Sequence, residues 1–241
     1  VAADLADRFH CLALDFRGHG LSTTPVATGV DFAGLASDVE AVVDGLRLER
    51  PHGVGHSVGA TALLLAEQAR PGTFEAIWCW EPVIVAAEPP LGRDCDNWLA
   101  HRARRRQARF PSAKAARAAY AERPLFAAVR SDVLSLYIAH GFRSRPDGGV
   151  ELRCEPETEA SVYENATAHD CFGRLWQIAC PVTLVVGGRS DAFPDVQAVT
   201  ERLPRPSRHL VPDLGHLGPM EDPGAVARSV LSAFTDPLTS P

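Results

Sequence analysis

Short apolar runs, each closed by turn-forming residues and set between stretches of helical periodicity, place the main constraint on how this chain folds. Cys11-Leu12-Ala13-Leu14-Asp15 is bounded by Gly18 and Gly20, and Pro51-His52-Gly53-Val54-Gly55-His56 enters a sharp turn. Ala76-Ile77-Trp78-Cys79-Trp80, Val182-Thr183-Leu184-Val185-Val186 and a segment near 208–211 repeat the pattern. Runs this short and apolar, flanked by Gly and Pro, read as buried strands. Between them, residues 32–47 place Phe32, Leu35, Val39, Val42, Val43 and Leu46 at helical spacing, and 58–70 is an Ala- and Leu-rich helix stopped by Pro71-Gly72. Further helices are expected at 2–8, 195–203 and 224–234. Strands alternating with helices predict an α/β fold, a mostly parallel open sheet with helices on both faces.

Residues 87–171 have a different texture. They hold Ala- and Arg-rich helical stretches at 94–109, 112–121 and 131–140, a strong turn at Arg145-Pro146-Asp147-Gly148-Gly149, and no convincing buried parallel strand. The block reads as a helical insertion. The expected division is 1–86 for the first part of the sheet, 87–171 for the insertion and 172–241 for the second part.

A length of 241 residues suits one large domain or two small ones. With 46% hydrophobic and 22% charged residues the chain is not of a disordered class. A net charge of −6 argues against a nucleic-acid partner. No run approaches the ~18 apolar residues of a membrane span, and Asp4, Asp7, Arg8 and Asp15 interrupt any leader-like stretch, so no membrane partner is expected. The six cysteines include no C-x-x-C pair and mostly sit in apolar runs, so a reducing, cytoplasmic setting is the expectation. The cluster Arg102, Arg104, Arg105, Arg106 and Arg109 reads as a solvated helix face rather than a phosphate site.

The sharpest local signal is Gly55-His56-Ser57-Val58-Gly59, with a strand running in and a helix running out. Such a turn lifts a serine hydroxyl above the sheet, and the flanking glycines let backbone pass closely. A serine hydroxyl needs a base to become a nucleophile. His216, in Asp213-Leu214-Gly215-His216-Leu217-Gly218 after the last expected strand, is placed to be one. A carboxylate must hold that histidine in the right tautomer. Both Asp191, after the strand ending at Val186, and Glu81, after Trp80, fall at the carboxyl edge where open sheets bind ligands. The chain order Ser…Asp…His favours Asp191, with Glu81 as the alternative.

These pieces, together with Asp15-Phe16-Arg17-Gly18-His19-Gly20-Leu21-Ser22, Gly187-Gly188-Arg189-Ser190-Asp191 and Pro219-Met220-Glu221-Asp222-Pro223, resemble the α/β-hydrolase superfamily over nearly the whole chain. The resemblance implies Ser57 as nucleophile, Asp191 as triad acid, His216 as base and the Val58 N–H as an oxyanion donor. It implies that 87–171 is a cap over the pocket and that His19 is a packed turn residue. Relatives with aspartate at the elbow break epoxides or carbon–halogen bonds, so serine implies acyl chemistry on a small carboxylic ester, lactone or thioester. Carbon–carbon hydrolysis, perhydrolysis and a non-catalytic ligand-binding role remain as alternatives. No metal, nucleotide or flavin cofactor is implied; the partner is a small acyl substrate, and the oligomeric state stays open.

The chain also departs from the family pattern. The strands that supply a second oxyanion N–H, on a His-Gly loop, precede the helix that here occupies residues 2–8. They would need about 25–40 residues. The expectation is a fold truncated at its N-terminus, with a gap in the sheet between the strand at 11–15 and the strand leading to Ser57; the alternative is that these two strands close up and pair directly.

Overall fold

The computed structural model describes residues 1–24, 26, 30–193 and 195–235. In chain order its elements are α1 (Ala2–Leu5), α2 (Phe32–Gly45), β1 (Gly53–His56), α3 (Val58–Ala69), β2 (Ile77–Trp80), α4 (Trp98–Arg104), β3 (Arg109–Phe110), α5 (Ala113–Ala121), α6 (Ser131–Gly141), β4 (Phe142–Ser144), β5 (Val150–Leu152), α7 (Pro156–Glu164), β6 (Val182–Gly187), α8 (Val196–Arg202), β7 (Pro206–Val211), α9 (Gly218–Glu221) and α10 (Pro223–Thr235). The main sheet has the order β1-β2-β6-β7 and every pair in it is parallel. This is the expected α/β architecture.

The two inner strands are apolar because both of their faces are covered. Ile77 and Cys79 of β2, with Val182 and Leu184 of β6, join a core with α2 and α3, built on Phe32, Leu35, Ala60 and Leu64. Trp78, Trp80 and Val185 point the other way, onto Leu5, Val226 and Val230 of α1 and α10. The Asp31 carboxylate starts α2 by accepting the Gly34 N–H at 2.7 Å, which satisfies one of the helix's open donors.

One expected strand does not form. Residues 10–15 form no regular element, are exposed and lie outside the sheet, with Leu12 49% and Leu14 36% exposed. β1 is the sheet's outer strand, and its Val54 is 44% exposed. Contacts of the residues flanking this segment join it to the β1 and α3 ends: the Phe9 and His52 rings sit 5.7 Å apart, and the Phe16 ring faces Gly59. Beyond it the chain folds into a tight turn around Asp15, whose carboxylate accepts the Leu21 N–H at 2.9 Å. His19 caps the Arg17 carbonyl through Nδ1 at 2.9 Å, as a turn residue. Arg17 anchors this turn to α2 through a forked contact with Asp38.

The 87–171 block carries α4 to α7 and its own small core of Phe110, Tyr120, Leu134, Ile138 and Phe142. It also holds a three-stranded antiparallel sheet, β3-β5-β4, that the sequence did not suggest; the Arg145–Gly149 turn joins β4 to β5. The block touches the carboxyl edge of the main sheet, where the Arg130 N–H donates to the Met220 carbonyl at 3.2 Å. The expected solvated arginine face holds at the exposed Arg102, Arg105 and Arg109 and is corrected at Arg104 and Arg106. Arg104 pairs with Glu157 and Glu164, and Arg106 with Glu159, so these arginines clamp α4 and the residues after it to α7. Cys79, Cys171 and Cys180 are buried, and all six cysteines are free thiols. Among the described residues, no helix is long and apolar enough to cross a membrane.

Candidate active site

Parallel pairing brings the ends of β1, β2 and β6 to one edge, and the loop after β7 folds over the same edge. Ser57 follows β1 directly and holds φ 52° and ψ −119°, a backbone conformation that non-glycine residues rarely adopt. The turn is pinned from both sides. The Ser57 N–H donates to the Trp80 carbonyl at 2.8 Å, and the Thr61 N–H donates to the Ser57 carbonyl at 3.2 Å. Gly55 is required, because a Cβ there would lie 2.6 Å from the Ala60 nitrogen. Gly59 is not required in the same way: its nearest neighbour would be the Phe16 ring at 3.8 Å, an ordinary contact. The expectation that both glycines make room for backbone thus holds at Gly55 alone. Val58 is the first residue of α3, so its N–H has no acceptor within the helix.

Glu81, not Asp191, meets His216. The Glu81 carboxylate is 1% exposed and His216 Nδ1 lies 2.6 Å from its Oε2. The same Oε2 accepts the Ser190 hydroxyl at 2.8 Å, and Oε1 accepts the Gly187 N–H at 2.9 Å. Burial alone pushes this carboxyl's pKa up, but the hydrogen bonds from His216, Gly187 and Ser190 outweigh it, and the pKa falls below the ordinary value. Asp191 is exposed, next to Ser190 on the loop after β6. The geometric reason is strand order. β2 lies between β1 and β6, so a residue at its end is central to the edge. Glu81 also has φ 43°, a second strained backbone position beside Ser57. The motif 187–191 still serves the site, through Gly187 and Ser190 rather than through its aspartate.

The loop carrying His216 is fixed independently. Trp80 Nε1 donates to the His216 carbonyl at 3.1 Å. Glu221 Oε2 accepts the Gly215 N–H at 3.1 Å while pairing with Arg189 at 2.7 Å. Sequence reasoning quoted Glu221 within the 219–223 motif but gave it no part in the site; it stands two residues before α10, in an otherwise plain acidic pair. The ring of His56, the residue immediately before Ser57, lies against the His216 ring with centroids 4.8 Å apart and planes tilted by 53°. Among the described residues, no hydrogen bond joins Ser57 Oγ to His216, and catalytic contacts of this kind commonly tighten only when substrate is bound.

Comparison with known proteins bears on the fold that carries this site. A curated 2-(acetamidomethylene)succinate hydrolase from Mesorhizobium japonicum is 28% identical over 210 residues, which is 87% of this chain and 70% of that protein. Among solved structures, a peroxisomal alpha-beta-hydrolase from Saccharomyces cerevisiae superposes with a TM-score of 0.78 at 20% identity, covering 92% of this chain and 67% of its own. An E-2-(acetamidomethylene)succinate hydrolase gives 0.78 at 22% identity, covering 98% and 84%. An N-formylmaleamic acid deformylase from Pseudomonas putida S16 gives 0.72 at 18%, covering 95% and 84%. These likenesses show the fold. The model of the alpha/beta hydrolase family matches residues 1–229, and the chain belongs to that family.

Proposed function

We propose that this protein is a serine hydrolase of small acyl substrates, with Ser57 as nucleophile, His216 as general base and Glu81 as the acid that orients it. The carrying observation is the 2.6 Å contact between His216 Nδ1 and Glu81 Oε2 at the edge that also presents Ser57. With Nδ1–H donated to the carboxylate, Nε2 is left as the basic nitrogen. His216 takes the Ser57 proton as Oγ attacks the substrate carbonyl, and the Val58 N–H at the start of α3 donates to the resulting oxyanion. Collapse expels the leaving group, protonated by His216, and leaves an acyl-serine. Water, deprotonated by His216, then releases the acid and restores the serine. The 87–171 block serves as the cap that shapes the pocket.

The reaction class follows from the nucleophile. The names of two relatives carry an acetamido and an N-formyl group, so N-acyl compounds join esters, lactones and thioesters as candidate substrates. The test is labelling by a fluorophosphonate, with the adduct mapped by peptide mass, beside turnover of that panel. Ser57 should carry the label, and Ser57→Ala should lose both label and turnover. A folded wild-type chain that takes no label and turns over nothing would leave a ligand-binding role in place of catalysis.

A further inference from the structure

His56 is the last residue of β1 and is fixed by the strand ladder against Trp80. Its ring lies against the ring of His216, with centroids 4.8 Å apart and planes at 53°. Its Nε2 is buried without a hydrogen-bond partner among the described residues. A buried imidazole nitrogen with no partner costs free energy, so an apolar residue would serve better if packing alone mattered. The His216 ring is held at Nδ1 by Glu81, and the residue's backbone carbonyl is held by Trp80. Neither contact restrains the swing of the ring about its Cβ. The His56 ring, tilted 53° to it, bounds that swing from the β1 side.

We propose that His56 is a positioning residue, a neutral aromatic wall that holds the His216 ring in line between Glu81 and Ser57. The proposal rests on the catalytic reading above. Neutrality matters because the base becomes a cation in each transition state, and a second charge at this distance would oppose it. The titratable groups that face His56 are His216, on the loop after β7, and Glu81, at the end of β2. Burial, followed by the nearby positive form of His216, lowers the His56 pKa to about 4, against smaller raising effects of the His216 backbone and Glu81. His56 is therefore uncharged across the neutral range.

The test compares His56→Phe with His56→Leu in the full chain, using whichever panel substrate wild type turns over. Leucine fills much of the volume but offers no flat face. His56→Leu should lose roughly 10- to 100-fold in kcat with KM unchanged, the scale of a misplaced catalytic group. His56→Phe should recover kcat to within a few-fold and leave the acid limb of the pH–rate profile where it was. Unchanged kcat in His56→Leu overturns the proposal. So does a His56→Phe variant as slow as leucine, or one whose acid limb moves. A His56→Leu chain that loses its cooperative melt also overturns it, because the residue would then be holding the strand end rather than the ring. Wild type that is neither labelled at Ser57 nor active is a different result and counts against the catalytic reading itself.

Discussion

At the scale of single residues, the contest between Glu81 and Asp191 was decided by position along the sheet edge. Both carboxylates follow strands that end at that edge, so the sequence offered two candidates and chain order favoured the wrong one for the contact with His216. What separates them is that Glu81 reaches from the strand beside β1, while Asp191 lies exposed on the loop after β6. If Glu81 orients the base, Glu81→Gln should cut kcat by about 10³- to 10⁴-fold, as loss of the correct tautomer does in related triads. Asp191→Asn should change it by no more than a few-fold. Steady-state kinetics on the two variants checks this, and a large loss at Asp191 with none at Glu81 would reverse the assignment. A second residue-scale effect concerns His169, which packs on Phe32 with ring centroids 4.4 Å apart and whose ring nitrogens are buried. Burial lowers its pKa from 6.5 to about 4, against smaller raising effects of the Val83 and Ala166 backbone and of Asp170. Between those values the unfolded chain binds a proton that the folded chain does not, so stability falls as pH drops through that window and is unaffected above it. His169→Phe should therefore show a smaller drop in thermal midpoint between pH 7 and pH 4.5 than wild type. An equal drop in both proteins would mean that His169 is not a source of the acid sensitivity.

Among elements, β1 and α3 meet more closely than any side chain at residue 55 allows. A methyl group on Gly55 would drive into the α3 backbone at Ala60, whereas one on Gly59 would touch only the tip of the Phe16 ring. Gly55→Ala is thus expected to destabilise by about 1–3 kcal/mol, the usual cost of overpacking, and Gly59→Ala by much less. Urea midpoints distinguish the two, and equal losses would show that the elbow relaxes freely at residue 55. The elbow itself was legible because its spacing, Gly-x-Ser-x-Gly between an apolar run and an Ala-rich helix, is a local signal. β2, β6 and β7 were legible for the same reason. β3, β4 and β5 were not: Arg109-Phe110, Phe142-Arg143-Ser144 and Val150-Glu151-Leu152 are too short and too charged to show a period. The helix α7 escaped notice because Thr158, Ser161 and Glu164 fill buried positions that normally hold apolar residues. Its partners are distant in sequence. Arg93 and Arg104 pair with Glu164, and the Ser161 hydroxyl accepts the Val30 N–H at 2.8 Å. Contacts of that kind carry no local signature.

For the whole molecule, the free outer edge of β1 is the feature that links stability to activity. Among the described residues, β1 pairs with β2 alone, residues 10–15 pair with no strand, and Leu12, Leu14 and Val54 open onto solvent. Exposed edges with apolar side chains are templates for pairing with another chain, so concentrated protein should self-associate through this region. The same edge bears on catalysis. The only oxyanion donor that the proposed function assigns is the Val58 N–H, and loss of one donor from such a pair costs about 10²–10³ in kcat. A strand added against β1 and ending in a His-Gly loop would both pair that free edge and present a second N–H near Ser57. An N-terminal extension that supplies three strands and that loop should therefore raise the thermal midpoint and ester turnover together, and suppress self-association. The measurement is paired: melting and kcat for the 241-residue chain and for the extended one. A gain in stability without a gain in rate would separate the two roles of that edge. A 241-residue chain already as fast and as stable as the extended one would mean that a second donor lies elsewhere and that the β1 edge tolerates its exposure.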